Sequence, residues 1–423
     1  MTDRVRLATR GSDLALRQAR SVARELERRR FDVELVEVTT RGDELRDELL
    51  HRLGRTGAFV RALDEEVLAA DGAADAAVHS MKDMPTESPP ELVVAAVPER
   101  AAAGDVLVTP DGRGLDDLPE DATVGTASVR RRAQLLARRD DLDVEPLRGN
   151  VDTRIEKLLA PHLQREHERR LAAEDGDTNT NANADTDTDD DSASTDTGAE
   201  ANDGDRNGDT DADTSDGDAD PADDPESLPD YDRSVDEWFD DRSEIERRAL
   251  GREVDREYDA VVLAEAGLDR IGLLGQVPHE RLPPGEFVPS PGQGALAVVA
   301  REGEFAAAVH DAVDHPRTRV ETTVERTVLA ALGGGCVAPI GVHALLQGEV
   351  VRTTVAVHGA DGRRTVRDTR DLDVQRHAEA AREFAADLAD RGAADLIADA
   401  VDAGDGDGTD PDSDATSGAE DRS

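Results

Sequence analysis

The stretch VRLATRGSDLALRQARSVARELERRRFDVELVEV, residues 5–38, indicates the fold class. Residues 5–9 have the pattern of a short strand, and Ser12 or Asp13 then supplies a cap for a helix that runs to about residue 30. Residues 33–38 follow as a second strand that is apolar enough to be buried on both faces. A strand, a helix and a strand in succession predict a β–α–β unit, and therefore an α/β domain with a largely parallel sheet.

The same alternation continues along the chain and then changes. Further strands are predicted at residues 74–79, 92–97, 106–108, 144–147 and 258–264, and helices at 58–70 and from Ser128. After about residue 316 the pattern is a long helix (318–332), a glycine-rich turn, two strands (341–346 and 351–357) and helices over 374–398. This order predicts a small α+β domain at the C-terminal end.

Acidic residues dominate the composition. Asp and Glu number 96 against 50 Lys and Arg, which gives a net charge of −46. Residues 174–227 carry −20 and residues 403–423 carry −6, which leaves −20 on the rest of the chain. Acid spread over the whole chain favours a salt-rich cytoplasm, where self-repulsion is screened. A surface of this sign repels nucleic acid and anionic membranes, so neither is an expected partner.

Two segments have the composition of disordered chain. Residues 174–227 contain no Val, Ile, Leu, Met, Phe, Tyr, Trp or Cys, so they have no apolar surface to bury, and residues 403–423 are similarly polar. The flanks at 163–173 and 235–250 have helical spacing. We therefore predict an insert at 161–254 that is a helical pair carrying a disordered acidic loop, and a disordered tail at 403–423.

Cysteine occurs once, as Cys336. An intramolecular disulfide and a thiolate metal cluster are thereby excluded, and no His-x-x-x-His pair or P-loop suggests another metal or nucleotide site. The first residues lack the apolar run of a signal peptide, and no stretch approaches the ~18 apolar residues of a membrane span. We expect a soluble cytoplasmic protein.

The segment HSMKDMP, residues 79–85, holds one of the two lysines and two of the three methionines of the chain. Lys82 stands beside Asp83 in a chain that otherwise uses arginine, and the two cations are not equivalent beside a carboxylate. The segment follows a predicted buried strand, where α/β folds place ligand sites. Two interpretations remain open: a functional lysine–aspartate pair, or a turn with a chance ion pair.

Several arginines stand at predicted strand ends or helix starts. They are Arg10, Arg130, Arg131, Arg148 and Arg154. Guanidinium groups and helix N-terminal amides both suit carboxylates, so their convergence on one cleft would imply a ligand with many carboxylates. The alternative is that these five are ordinary surface charges among the 48 arginines of the chain.

Cys336 follows three glycines after the long helix, in GGGCVAP. Lone cysteines are usually small buried hydrophobes, but a glycine-rich turn favours exposure of this sulfur. No nearby histidine supplies the base that a cysteine nucleophile needs. The residues alone leave Cys336 as an exposed thiol or a covalent anchor.

Eight segments, taken in order, resemble the hydroxymethylbilane synthase (porphobilinogen deaminase) family. They are LATRGSDLALRQA (7–19), TTRGD (39–43), ADAAVHSMKDMP (74–85), VGTASVRRRAQL (124–135), LRGNVDTR (147–154), YDAVVLAEAGLDRIG (258–272), PGQGALAV (291–298) and GGCVAPIG (334–341). The resemblance covers roughly residues 1–160 and 255–400, and it leaves the acidic insert without a counterpart. One such motif is weak, whereas eight in the family's order are specific.

The resemblance implies a transferase reaction. The family condenses four porphobilinogen molecules head to tail, releases ammonia at each step and yields 1-hydroxymethylbilane for tetrapyrrole biosynthesis (uroporphyrinogen, haem, sirohaem and cobalamin). It builds on a dipyrromethane cofactor held by a thioether, here implied for Cys336. Asp83 matches the catalytic aspartate, which stabilises the azafulvene cation formed as ammonia leaves. The implied cofactor-binding residues are Cys336, Lys82, Arg130, Arg131, Ser128, Thr126 and Ser80; the implied substrate-binding residues are Arg10, Ser12, Gln18, Arg148, Arg154 and Gln293.

The resemblance also implies an architecture. Two periplasmic-binding-protein-like domains surround a cleft, and a third, small α+β domain carries the cysteine. The implied limits are 1–98 with 293–312 for domain 1, 102–160 with 255–288 for domain 2, and 316–401 for domain 3. A monomer is expected, with porphobilinogen as the small-molecule partner and product hand-off to uroporphyrinogen-III synthase.

Two other classes of protein share part of this pattern. An anion-binding protein that closes on a small ligand without chemistry would share the fold and the arginines, but it would need neither Asp83 beside Lys82 nor an exposed Cys336. An acidic interaction scaffold would account for the insert and the tail, but not for the motifs. A covalent adduct on Cys336 separates both from the enzyme.

Overall fold

The computed structural model describes residues 4–38, 56–69, 72–184, 231–335 and 338–406. Cys336, the TTRGD segment and most of the acidic insert lie outside these ranges. The chain divides into two compact units, Met1–Leu159 with Arg252–Ser423, and Ala160–Gly251.

The described elements alternate in type through the first half of the chain. The strands are β1 Arg4–Arg10, β2 Asp32–Val38, β3 Ala76–Ser80, β4 Leu92–Ala96, β5 Asp105–Val108, β6 Thr123–Thr126, β7 Asp143–Pro146, β8 Ala260–Ala264, β9 His279–Leu282, β10 Leu296–Arg301, β11 Ile340–Gln347, β12 Val350–His358 and β13 Thr365–Asp373. The helices are α1 Asp13–Arg28, α2 Thr56–Leu68, α3 Val129–Arg138, α4 Val151–Ala184, α5 Val235–Asp240, α6 Glu244–Leu250, α7 Glu265–Arg270, α8 Glu304–Val313, α9 Pro316–Ala331, α10 His377–Asp390 and α11 Ala393–Gly406. Short 3₁₀ turns occur at Met81–Asp83, Leu115–Asp117 and Val374–Arg376.

Two five-stranded sheets share one plan. The first has the order β2-β1-β3-β10-β4 and the second β7-β6-β8-β5-β9. In each, the first three strands are parallel and the fourth is antiparallel to its neighbours. The antiparallel strands β5 and β10 are the ones that the chain reaches when it crosses from one sheet to the other. The predicted α/β class is therefore confirmed, while the predicted domain limits stay a prediction.

Helix α1 shows how the sequence builds these layers. Ser12 caps it, because the Ser12 hydroxyl accepts a hydrogen bond from the backbone N–H of Ala15. Its apolar residues Ala19, Val22 and Leu26 recur at helical spacing and are fully buried against the first sheet. The β–α–β pattern of residues 5–38 is thereby confirmed, with β1 and β2 paired in parallel.

The C-terminal part of the larger unit is a three-stranded antiparallel sheet, β11-β12-β13, with helices against one face. Val328, Phe384 and Leu388 are fully buried in its core. The α+β prediction is confirmed here, but β13 was not predicted. Its residues TVRDTRDLD alternate between half-buried and exposed positions and include only two apolar side chains, so the apolar pattern of a strand is faint.

The smaller unit is helical. The helix Val151–Ala184 passes through Pro161 and continues into it, and α5 and α6 begin at the capping boxes of Ser234 and Ser243. Trp238 is buried there and stacks on His167 with ring centroids 5.9 Å apart. The helical spacing predicted for both flanks is confirmed, although the second flank forms two short helices, α5 and α6. The first helix extends to Ala184, and the disorder of the acidic segment stays a prediction.

Helix α11 continues to Gly406, and the disorder of the tail predicted at 403–423 stays a prediction. None of the helices in the described part of the chain combines the length and apolar composition that a bilayer crossing needs.

Candidate functional site

The turn Met81–Asp83 directly follows the buried central strand β3. Met81 and Met84 are 2% and 3% exposed and anchor the turn in the core, whereas Lys82 is exposed and Asp83 half-buried. The N–H of Met84 closes the turn onto the Met81 carbonyl at 3.3 Å, and the N–H of Met81 donates to the Ala295 carbonyl at 3.0 Å. The unusual methionines of this segment therefore hold the turn, and the turn presents the charged pair at its surface.

The segment PGQG packs directly on this turn. Gly292 has φ +75, and a Cβ there would lie 2.9 Å from Cγ of Met81 and 3.3 Å from the backbone nitrogen of Lys82. Only glycine combines this backbone conformation with so close an approach. The position thus brings the crossing segment between β9 and β10 against the Lys82–Asp83 pair.

Gln293, the next residue, links the turn to the second sheet. Its side chain is 1% exposed, and Nε2 donates to the carbonyls of Ala103 and Gly104 at 2.7 and 3.1 Å and to Oδ1 of Asp105 at 2.8 Å. The sequence predicted a substrate contact for Gln293. Its amide nitrogen binds protein groups where the crossing segments meet, and the substrate contact stays a prediction.

Asp105 is the hub of a buried charge cluster. It is fully buried and accepts from Nη2 of Arg130 at 2.8 Å and from Nε and Nη2 of Arg131 at 3.1 and 2.8 Å. Burial by itself would raise the pKa of Asp105, but the two guanidinium groups outweigh it and lower that pKa to about 2. The carboxylate is therefore ionised, and it balances one of the two positive charges beside it.

The two arginines differ in their exposure and in the protein groups that their guanidinium nitrogens bind. The remaining nitrogens of Arg130 donate to Oγ of Ser290 at 3.1 Å and to the Val288 carbonyl at 2.7 Å, and its side chain is only 2% exposed. Arg131 is 7% exposed, and its Nη1 donates to the Val262 carbonyl at 3.2 Å. Within the described residues the donors of Arg130 bind protein groups, and the cofactor contact predicted for it stays a prediction.

Thr126 and Ser128, predicted to bind cofactor, start the helix that carries these arginines. The hydroxyl of Thr126 accepts from the N–H of Ser128 at 3.2 Å, and the hydroxyl of Ser128 caps the helix by accepting from the N–H of Arg131 at 3.4 Å. Thr126 is buried and Ser128 half-buried. Both side chains fix the helix start, where backbone N–H groups favour an anion.

Arg148 and Arg154 lie around the next helix start. Arg148 is exposed after β7, and Nε of Arg154 donates to the Gly149 carbonyl at 2.8 Å. Burial, together with the charge of Arg131, lowers the pKa of Arg154 to about 10. A cation disfavoured in this way gains from a carboxylate ligand.

The first β–α junction holds the other predicted residues. Arg10 ends β1, Ser12 caps α1 and Gln18 lies half-buried on α1, while Ser80 ends β3. The contacts of these side chains with a ligand stay a prediction.

Arg270 is a further half-buried cation, which sequence reasoning missed. It ends α7, its Nη2 donates to the Gly294 carbonyl at 2.7 Å, and burial lowers its pKa. The signal was present, because Arg270 lies within the segment YDAVVLAEAGLDRIG (258–272) that resembles the family. Arg270 stands at the end of a helix, whereas the predicted arginines stand at strand ends and helix starts.

Cys336 lies outside the described residues, but the approach to it is described. The helix Pro316–Ala331 ends before Gly333, which has φ +70, and a Cβ on Gly334 would lie 2.7 Å from Cδ1 of Leu329. The glycines therefore let the chain turn tightly against the end of the helix.

These contacts form one continuous path through the larger unit. The Lys82–Asp83 turn touches Gly292, the adjacent Gln293 bonds to Asp105, and Asp105 holds Arg131, whose charge acts on Arg154. A carboxylate-bearing turn and a group of arginines with a surplus of positive charge are thereby connected.

Comparisons with known proteins agree with this arrangement. The family model described as "Porphobilinogen deaminase, dipyromethane cofactor binding domain" matches residues 5–166 and 239–308. The model described as "Porphobilinogen deaminase, C-terminal domain" matches residues 320–391. The gap in the first match falls within the acidic insert.

Curated relatives match almost the whole chain. A probable porphobilinogen deaminase of Halobacterium salinarum is 56% identical over 403 residues, covering 94% of this chain and 98% of the relative. A porphobilinogen deaminase of Rubrobacter xylanophilus is 35% identical, covering 94% and 97%, and a probable one of Methanococcoides burtonii is 34% identical, covering 93% and 96%. The fold, the connected site and these matches together place the chain in the porphobilinogen deaminase (hydroxymethylbilane synthase) family.

Proposed function

We propose that Asp83 and Cys336 are the two chemical centres through which this chain carries out the reaction of its family. That reaction condenses four porphobilinogen molecules head to tail with release of ammonia and gives 1-hydroxymethylbilane for tetrapyrrole biosynthesis. The dipyrromethane cofactor supplies the primer pyrrole to which the first substrate is joined. Cys336 is its point of attachment, and Asp83 is the catalytic carboxylate.

The cations of the site suit a ligand with many carboxylates. Burial disfavours the charged forms of Arg154 and Arg270, and Asp105 neutralises only one of the two charges on Arg130 and Arg131. Porphobilinogen carries an acetate and a propionate, and each added unit brings another pair. A carboxylate placed among these guanidinium groups would be bound by charge-assisted hydrogen bonds.

Roles then follow from burial. Six cations hold the acetate and propionate groups of cofactor and substrate: Arg10, Lys82, Arg131, Arg148, Arg154 and Arg270. Their polar neighbours are Ser12, Gln18, Ser80 and the helix start at Thr126 and Ser128. Arg130 and Gln293 bind protein groups and position the others.

Asp83 has the placement that its role needs. It is half-buried beside an exposed lysine, on a turn anchored by two buried methionines. A carboxylate fixed in this way stabilises the positive charge that develops on the substrate as ammonia leaves. It also accepts a hydrogen bond from a pyrrole N–H. The observation that carries the proposal is the contact path from this turn to the arginines.

Intact-mass measurement tests the proposal. The purified protein should carry an adduct of the mass of a dipyrromethane, and Cys336→Ala should lack it. Asp83→Asn should retain at least part of the adduct while turnover collapses. An unmodified wild-type mass after incubation with porphobilinogen would overturn the role proposed for Cys336, and near-normal turnover in Asp83→Asn would remove Asp83 from its role.

The setting of the enzyme belongs to the same proposal. The charge of −46 supports a salt-rich cytoplasm, and the family resemblance supports a monomer that passes its product to uroporphyrinogen-III synthase.

A further inference from the structure

Arg326 connects the C-terminal part of the larger unit to the catalytic turn. It lies on the helix Pro316–Ala331, five residues before that helix ends. Its Nη1 donates to the carbonyls of Met81 and Met84 at 3.3 and 3.2 Å, and its Nη2 donates to the carbonyl of Pro85 at 2.6 Å. One guanidinium group therefore binds three of the carbonyls that bracket Lys82 and Asp83.

The turn that carries Lys82 and Asp83 has few hydrogen bonds of its own. The turn Met81–Asp83 is a single 3₁₀ turn, closed by one hydrogen bond of 3.3 Å from the N–H of Met84. A turn this short has few internal bonds to keep it in one conformation. A planar guanidinium fork with fixed donor directions restricts the carbonyls far more than one backbone bond does.

The preceding residue, Glu325, supports the same turn indirectly, through Gly292. Its carboxylate is fully buried, accepts from both terminal nitrogens of Arg100 at 2.8 and 3.0 Å, and accepts from the N–H of Gly292 at 2.7 Å. Gly292 is the residue that packs on Met81 and on the backbone of Lys82. Two consecutive residues of one helix thus hold the turn directly and through the crossing segment.

We propose that Arg326 is a positioning residue for Asp83, which couples the helix leading to Cys336 with the turn that carries the catalytic carboxylate. This inference rests on the role proposed above for Asp83. Arg326 touches backbone carbonyls and acts through the orientation of the turn. Without its guanidinium the turn samples other conformations, and the carboxylate spends less time where the developing charge lies.

Arg326→Gln tests the inference, with Arg326→Lys as the conservative variant. A displacement of about 1 Å at a reacting group costs up to about 100-fold in rate, so we expect kcat to fall by about 10- to 100-fold in Arg326→Gln. KM for porphobilinogen should change less than threefold, since the arginines that hold carboxylates are untouched. Lysine keeps a charge and three donors, so Arg326→Lys should recover part of kcat.

Arg319 provides a matched control. It lies two turns earlier on the same helix and donates to the carbonyls of Val94 and Ala95 in the first sheet at 3.3 and 3.0 Å, and it pairs with Asp314 at 2.7 Å. Arg319→Gln removes two carbonyl contacts and an ion pair of this helix away from Asp83, so kcat should stay within about twofold of wild type. An equal loss of kcat in Arg319→Gln would show that any weakening of this helix suffices, and the inference would fail.

A second readout does not depend on turnover. Hydrogen–deuterium exchange of the peptide containing residues 81–85 should quicken in Arg326→Gln and stay unchanged in Arg319→Gln, while intact mass shows the same adduct in both. Unchanged exchange or wild-type kcat in Arg326→Gln would overturn the inference. Normal turnover in Asp83→Asn would instead overturn the proposed role of Asp83, whatever the exchange at the turn.

Discussion

Within the described residues, Asp105 is the carboxylate that pairs with both Arg130 and Arg131, at distances of 2.8 Å, and replacing it with asparagine removes that charge. The amide preserves the shape of the side chain and removes its charge. Two buried guanidinium groups then face each other without an anion between them. We expect a large loss of stability, because breaking a buried ion pair leaves uncompensated charge.

The size of the loss follows from the pKa of Asp105. Folding lowers that pKa from 3.8 to about 2. A difference of nearly two pKa units corresponds to about 2–3 kcal/mol at neutral pH. Removal of one partner of a buried pair costs about 3–5 kcal/mol. We therefore expect Asp105→Asn to lower the free energy of unfolding by about 3 kcal/mol.

The loss should also depend on pH, with a definite sign. Because the folded pKa lies below the ordinary value, ionised Asp105 stabilises the fold above about pH 4, and this contribution declines as the pH falls through 3.8 toward 2. About half of it is gone at pH 3. The difference between wild type and Asp105→Asn should therefore be constant from pH 7 to 5 and shrink below pH 4.

Urea unfolding at constant high KCl measures both quantities without changing the ionic strength. Asp116→Asn is the matched control, because Asp116 pairs with Arg138 at 2.7 Å but is 68% exposed, and such a pair is worth about 0–1 kcal/mol. A loss under about 1 kcal/mol in Asp105→Asn, or a difference that stays constant to pH 3, would refute the reasoning.

Two further predictions concern the backbone and the surface charge. Gly294→Ala should lower the free energy of unfolding by about 2–3 kcal/mol, because a Cβ there would lie 2.6 Å from the carbonyls of Ala101 and Ala102 at φ +84. Gly272→Ala, at φ +77 with nothing within 4 Å, should lose only about 1 kcal/mol, and equal losses in urea unfolding would contradict the steric argument. The melting temperature should rise with added KCl because the chain carries −46, so a flat thermal scan between low and molar salt would count against salt adaptation.

Periodicity predicted most of the regular structure. The run of residues 5–38 was sufficient for β1, α1 and β2, because alternating apolar spacing directly records which face of an element is buried. Strand β13 escaped the same reasoning. It is the edge of the three-stranded sheet, and its charged side chains, such as Arg367 and Asp371, leave too few apolar positions for a period to be seen.

The candidate site divides in a similar way. The turn with Lys82 and Asp83 was predictable, because rare residue types in one short segment mark it in the sequence. For Arg130 and Gln293 the sequence did not predict the protein groups that they bind, and their ligand contacts stay a prediction. The sequence does not distinguish a buried guanidinium group from an exposed one. Only the packed neighbours in the structure show which N–H donors bind protein groups.

The sequence by itself determined the alternation of strands and helices, the family, the acidic surface and the two residues, Asp83 and Cys336, on which the chemistry is proposed to depend. The tertiary structure alone decided that Asp105 meets Gln293, 188 positions away, and that Arg326 binds the carbonyl of Met81, 245 positions away. A side-chain pattern reports the local face that an element buries. The pattern does not predict which distant donor and acceptor form a hydrogen bond, because that pairing is determined when the sheets and crossing segments pack together.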